Sequence, residues 1–343
     1  MGLDDSVRTH LVPSPLQIAG YLVNRAMPRQ LGRMDTCFFD KAVSAVMGRP
    51  DLFIGWATEA LFAARHTRKY GGAFVLDRAC PHRDFQESIV ERESGQLGVA
   101  YAQQPQWFRD RQLEEYDLAE AILVPSEYTA RTFPERLQSK LIKAPLLGRC
   151  REPKTIRKER NAIFTVGVLG GSPIRKGYLY LLRAWQRLSL PNAKLLLRAG
   201  NLMDYPVLRE LISRTPNVEF LDFVPDISDF YQRCDVFALP SVDDGFGMAL
   251  IEAMLNGRAC ITTSNTGASE LMTNGQTGLV IDPANEDQLA SAILQLYEND
   301  AMRAGLGAAA AVQARQIAIS GMYDKAIRSL LNSVQTKDRR KLA

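Results

Sequence analysis

The chain has 343 residues, 46% of them apolar and 23% charged, and a net charge of +4. Those values describe an ordinary soluble protein too long for one hydrophobic core, and they exclude a disordered or fibrous chain. No run approaches the roughly 20 apolar residues of a membrane-spanning helix.

In chain order, the opening MGLDDSVRTH carries early acids where a signal peptide would have its apolar core. The expected location is therefore the cytoplasm. Helical periodicity follows over 38–47, 59–70, 84–94 and 107–119. Strands are predicted in DLFIGWA (51–57), GAFVLDRA (72–79), GVAYAQ (98–103), AILVPSEY (121–128) and KLIKAPL (140–146). The segment 145–160, rich in charge with a proline near its start, reads as a domain boundary. From 161 on, strands in AIFTVGVL, AKLLLRAG, NVEFLDF, DVFALPS, RACITTS and TGLVID alternate with five helical segments. Such alternation specifies βα units and a parallel sheet. A last helix is predicted over 322–334. The domains expected are 1–150, 151–318 and a C-terminal piece, 319–343.

Short basic runs at 149–160 and 337–341 read first as solvated linkers, and would also suit the inner face of a membrane. No aromatic residues are interleaved with them, which argues against nucleic acid as a partner. Five scattered cysteines lack a C-x-x-C pair, and the three histidines share no ligand spacing. Neither a disulfide framework nor a metal site is expected.

Two loops carry the candidate chemistry. The first lies in VLGGSPIRKGYLYLLRAW, 168–185: strand, glycine-rich loop and helix, with Arg175 and Lys176 just ahead of Gly177. Backbone N–H groups, helix dipole and two cations together make an anion site. It is neither a P-loop nor a G-x-G-x-x-G dinucleotide loop. The second lies in LPSVDDGFGMALIEAMLNG, 239–257, which sets Asp244 and Glu252 on either side of a helix start with Gly245, Phe246 and Gly247 between them. Bare backbone admits a ligand closely. A ligand satisfying both acids must be extended and rich in hydroxyl groups, as a sugar joined to a ribose is. Alternatively, Asp244 is an N-cap and Glu252 a solvated helix acid.

These stretches, with CDVFALPS (234–241) and TGASELMTNGQTGLVIDPAN (266–285), resemble retaining glycosyltransferases of family 4. The resemblance covers the second half in the family's order and implies the GT-B architecture, an α/β fold of two Rossmann-like domains facing across a cleft. It implies transfer of a sugar from a nucleotide-diphosphate sugar to an acceptor hydroxyl with retention, without metal or other cofactor. The acceptor would be a glycan or glycolipid, in cell-envelope or exported polysaccharide synthesis. The family's first acid, a glutamate, is Asp244 here and would touch the transferred sugar. Glu252 would hold the ribose hydroxyls. Arg175 and Lys176 would neutralise the leaving diphosphate, with Gly170, Gly171, Gly245, Phe246 and Gly247 as further donor contacts and Val224 near the base. The family's arginine after the strand glycine is missing, since Val168 follows Gly167, and Arg175 takes its place. In FVLDRACPH, His82 resembles the family's histidine at a strand end facing the sugar, or else is a capping residue; Ser126 reads as the cap of the next helix. Nothing before Arg33 reads as the family's opening strand and glycine-rich loop, so the first domain is expected to be shortened. The alternative is a sugar-nucleotide-binding or scaffold protein that has lost turnover.

Overall fold

The computed structural model describes residues 28–146, 162–221 and 226–341. Two parallel sheets organise the described residues, one of four strands and one of six. This is the expected α/β class.

The first sheet runs β1 (Leu52–Trp56), β2 (Ala73–Asp77), β3 (Ala121–Val124) and β4 (Leu141–Lys143), each beside its sequence neighbour. AFVLD and AILV are buried along their whole length, as strands covered on both faces must be. Helix α1 (Pro28–Val46) begins ten residues before the predicted start and packs on α2 (Leu61–Lys69); proline fits a first helical turn, where its missing N–H has no partner to lose. Between β2 and β3 lie α3 (Arg83–Gln96) and α4 (Gln106–Leu118), and between β3 and β4 the short α5 (Glu127–Arg131) and α6 (Glu135–Gln138).

One predicted strand is absent. GVAYAQ, 98–103, is a loop. Leu97, just before it, and Val99 reach the hydrophobic cluster of the second sheet, while Gly98, Ala100 and Ala102 are exposed, so the run has no covered face on which a strand could form.

In the second sheet the order is β10-β9-β8-β5-β6-β7, all parallel. The strands are β5 (Phe164–Leu169), β6 (Ala193–Arg198), β7 (Val218–Phe220), β8 (Val236–Leu239), β9 (Ala259–Thr263) and β10 (Leu279–Ile281). On one face pack α7 (Tyr178–Leu188), α8 (Pro206–Arg214) and α11 (Glu286–Glu298), through residues such as Leu181, Leu208 and Ile293. The other face holds α9 (Ile227–Gln232), α10 (Met248–Leu255) and α12 (Asp300–Ile319), through Phe230, Met254 and Ala310. β5, β6 and β7 build outward on one side and β8, β9 and β10 on the other. The order reverses between β5 and β8, which is where an open sheet of this kind leaves a crevice at its strand ends.

Helix α13 (Met322–Lys341) returns to the first sheet, where Leu330 joins Val75, Leu123 and Ala144 in one cluster. The first 27 residues, where the family's opening strand and glycine-rich loop would stand, lie outside the described residues. So do the stretch from 147 to 161, with most of the expected boundary, and Val224.

Candidate functional site

The two loops singled out by sequence emerge side by side at the reversal point. After β5 the chain runs through Gly170, Gly171 and Arg175 to α7; after β8 it runs through Asp243 and Asp244 to α10. The Val242 N–H donates to the Arg175 carbonyl at 2.9 Å. Gly177, at φ +70°, is the N-cap of α7, and a Cβ there would overlap the Pro240 carbonyl oxygen, so only glycine brings the turns this close. Lys176 Nζ forms an ion pair with Asp244 Oδ2, and Arg175 Nη1 lies 3.7 Å from Asp243 Oδ2. The cationic and acidic turns therefore share one rim of one sheet.

The N-cap of α10 is Gly247, with no side-chain cap. Asp244 is not the capping residue; its carboxylate turns to Lys176. Glu252, partly buried about one turn into α10, accepts a 2.7 Å hydrogen bond from Tyr231 of α9. Burial raises its pKa, while the Tyr231 hydroxyl and Lys176 act to lower it. Phe246 is buried in the α10-side core, which anchors the loop. The carbonyls of Asp244 and Phe246 accept from the N–H groups of Gly267 and Ala268 at 3.0 and 2.6 Å; neither bond uses the N–H groups of Gly245, Phe246 or Gly247. Those N–H groups sit at a helix start, where donors meet an anion or a hydroxyl.

Two cavities open beside the rim. Gly170 and Gly171 line one of about 390 Å³ with Arg198 and Leu221. A larger one, about 630 Å³, lies between the domains, bounded by Arg78, Gln86 and Phe108 on one side and Ile174, Asn201 and Tyr205 on the other. Its Arg83 is engaged by Gln112, Asp84 and Glu87, and Glu87 also accepts from Tyr101.

His82 is the N-cap of α3: Nδ1 accepts from the Asp84 N–H at 3.3 Å. That bond places the ring proton on Nε2, which is buried and has no hydrogen-bond partner. The ring stacks on Tyr116 at 5.0 Å and meets Phe133 edge-on. Burial lowers its pKa to about 4, the Asp84 charge only partly opposing it, so the imidazole stays neutral.

The domains meet at this rim. A Cβ on Gly245 would overlap the Ala79 carbonyl oxygen of the first domain, and glycine is what permits the approach. Ser126 caps α5 by accepting from the Thr129 N–H, and its hydroxyl also donates to the Gly245 carbonyl at 2.7 Å. The Glu270 carboxylate accepts from the N–H groups of Glu127 and Tyr128 at 2.9 and 2.6 Å. The fully buried Asp243 accepts from Tyr128 Oη at 2.8 Å and Gln86 Nε2 at 3.0 Å.

Sequence reasoning missed Asp243, Tyr231, Arg198, Glu270 and the Gln86–Tyr128 pair. The doubled acid in VDDGFG was a visible cue for Asp243; the others stand in ordinary helices, strands and turns, and only proximity in the fold selects them.

Residues 160–299 match the family described as glycosyl transferases group 1. Among curated proteins, the capsular polysaccharide biosynthesis glycosyltransferase CapM of Staphylococcus aureus is 29% identical over 153 residues, 43% of this chain and 40% of that protein. O-antigen chain mannosyltransferase B of Escherichia coli is 30% identical over 156 residues, again 43% and 40%. The chain thus spans about two fifths of the length of these relatives. Among solved structures, Anabaena HepE in complex with UDP superposes with a TM-score of 0.66 at 21% identity, covering 87% of this chain and 82% of that one. That likeness establishes the two-domain fold. Among the described residues no helix is long and apolar enough to cross a membrane.

Proposed function

We propose, from the match of residues 160–299 to the glycosyl transferases group 1, that this chain transfers a sugar from a nucleoside-diphosphate sugar to a hydroxyl of a glycan or glycolipid, in the synthesis of cell-envelope or exported polysaccharide. The observation that carries the reading is the meeting of the Arg175–Lys176 turn with the Asp244–Glu252 turn at the reversal point of the sheet. The diphosphate lies over Gly170, Gly171 and the start of α7, against Arg175 and Lys176, which offset the charge that grows as the sugar–phosphate bond breaks. Glu252, aimed by Tyr231, receives the ribose hydroxyls. Asp244 faces the transferred sugar, with N–H groups of Gly245, Phe246 and Gly247 beside it. The base lies toward Arg198 and Leu221, in the 390 Å³ cavity.

The acceptor enters from the first domain through the 630 Å³ cavity. Its oxygen bonds to the anomeric carbon, its proton leaves with the nucleoside diphosphate, and attack from the face of the leaving group retains configuration. Most of the rate then derives from holding two substrates in line and from the fixed cations. His82, as the N-cap of α3, shapes the turn that Gly245 touches.

The test is release of nucleoside diphosphate from a panel of nucleotide sugars, with and without glycan and glycolipid acceptors. Acceptor-dependent release is the expected result. Binding without release would support instead a binding protein that has lost turnover, a reading favoured by the shorter Asp244 and its engagement with Lys176; no binding at all would defeat both.

A further inference from the structure

The geometry points to Asp243 as the residue through which the first domain controls the phosphate-binding turn, with Tyr128 and Gln86 as positioning residues for Arg175. The inference rests on the proposed role of Arg175 toward a diphosphate. The Asp243 side chain has no exposure, and protein groups from both domains meet its charge. Within its own domain that group is Arg175, 3.7 Å from Oδ2 and also 3.4 Å from the Asp243 carbonyl oxygen. From the first domain come the Tyr128 hydroxyl on Oδ1 and the Gln86 amide on Oδ2, at 2.8 and 3.0 Å.

A buried carboxylate takes hydrogen bonds wherever it finds them, because going without is costly. With the domains together, Tyr128 and Gln86 meet most of that demand. Arg175 then stands at ion-pair distance, longer than a charge-assisted hydrogen bond, its side chain still 24% exposed. Without those two donors, Asp243 draws the guanidinium in and neutralises it. The first domain so keeps Arg175 available for a second anion. By linkage, a diphosphate on Arg175 must favour the closed arrangement to the same extent. Gln86 also lines the 630 Å³ cavity, so one residue touches both the acceptor's entry and the carboxylate that restrains Arg175.

The experiment is calorimetry on the full chain with UDP, GDP and ADP and with the corresponding nucleosides, which lack phosphate. Tyr128→Phe should weaken binding of the preferred diphosphate about tenfold, the effect of losing one hydrogen bond to a charged group, and leave nucleoside affinity unchanged. A general loss of structure would weaken both. Gln86→Met is the second variant, so that the inference remains testable if Tyr128→Phe does not fold; it should act in the same direction. In an Arg175→Ala background neither substitution should have a further effect on diphosphate affinity. Equal diphosphate affinity in parent and both variants, or equal losses for diphosphate and nucleoside, overturns the inference while leaving the donor site standing. A parent that binds none of the three diphosphates removes the donor reading and this inference together.

Discussion

Replacing Asp244 by asparagine should leave the protein less stable and yet better at holding a nucleoside diphosphate. The reason is the ion pair with Lys176, whose side chains are only 15% and 12% exposed. For a pair this enclosed, removing one partner leaves the other charge uncompensated, at about 3 kcal/mol, the lower end for buried pairs. In a domain of this size ~3 kcal/mol corresponds to a melting midpoint lowered by about 6–12 °C. The same change removes the carboxylate that competes with phosphate for the ammonium. Diphosphate affinity should rise about tenfold, or ~1.4 kcal/mol, so that saturating ligand restores part of the lost stability. Thermal melts with and without UDP, GDP and ADP, together with calorimetry, read both quantities, and Lys176→Met should lose stability and affinity alike. A lowered midpoint with unchanged or weakened diphosphate affinity in Asp244→Asn would refute the competition and take Lys176 away from the phosphates.

Glu252→Ala should weaken nucleotide binding by about tenfold or more, as expected for lost hydrogen bonds between a carboxylate and ribose hydroxyls, whereas Asp244→Ala should not; matching affinities for the parent and both variants would remove Glu252 from the ribose. A second expectation concerns acid. His82 has a folded pKa lowered to about 4 by burial, so the unfolded chain binds its proton first. Its contribution is fully present above pH 6.5 and is lost as the pH falls toward 4, by ~2 kcal/mol at pH 5. His82→Asn keeps a capping side chain but cannot titrate, so urea unfolding at pH 7 and pH 5 should show a smaller difference for the variant than for the parent. An undiminished difference would place the acid sensitivity elsewhere.

Much of this protein was legible without coordinates because local chemistry and fold agree. Continuous apolar runs such as AFVL and AILV form strands wherever both faces are covered, Pro206 opens α8 and Gly257 follows α10 at φ +68°, each for a reason internal to a few residues. The glycine-rich and acidic loops were also visible, since positive φ and close approach leave a mark in residue type. What the sequence could not express was partnership across long separations. Whether Asp244 capped its helix or faced a cation depended on Lys176, 68 residues away, and the sheet order that brings them together is a property of the whole domain. Tyr231 becomes the hydrogen-bond donor to Glu252, and Val99 becomes interdomain packing and not part of a strand, only once the chain has closed. Residue type fixes which conformations and charges are available, but a buried carboxylate is defined by its neighbours, and those neighbours are chosen by topology.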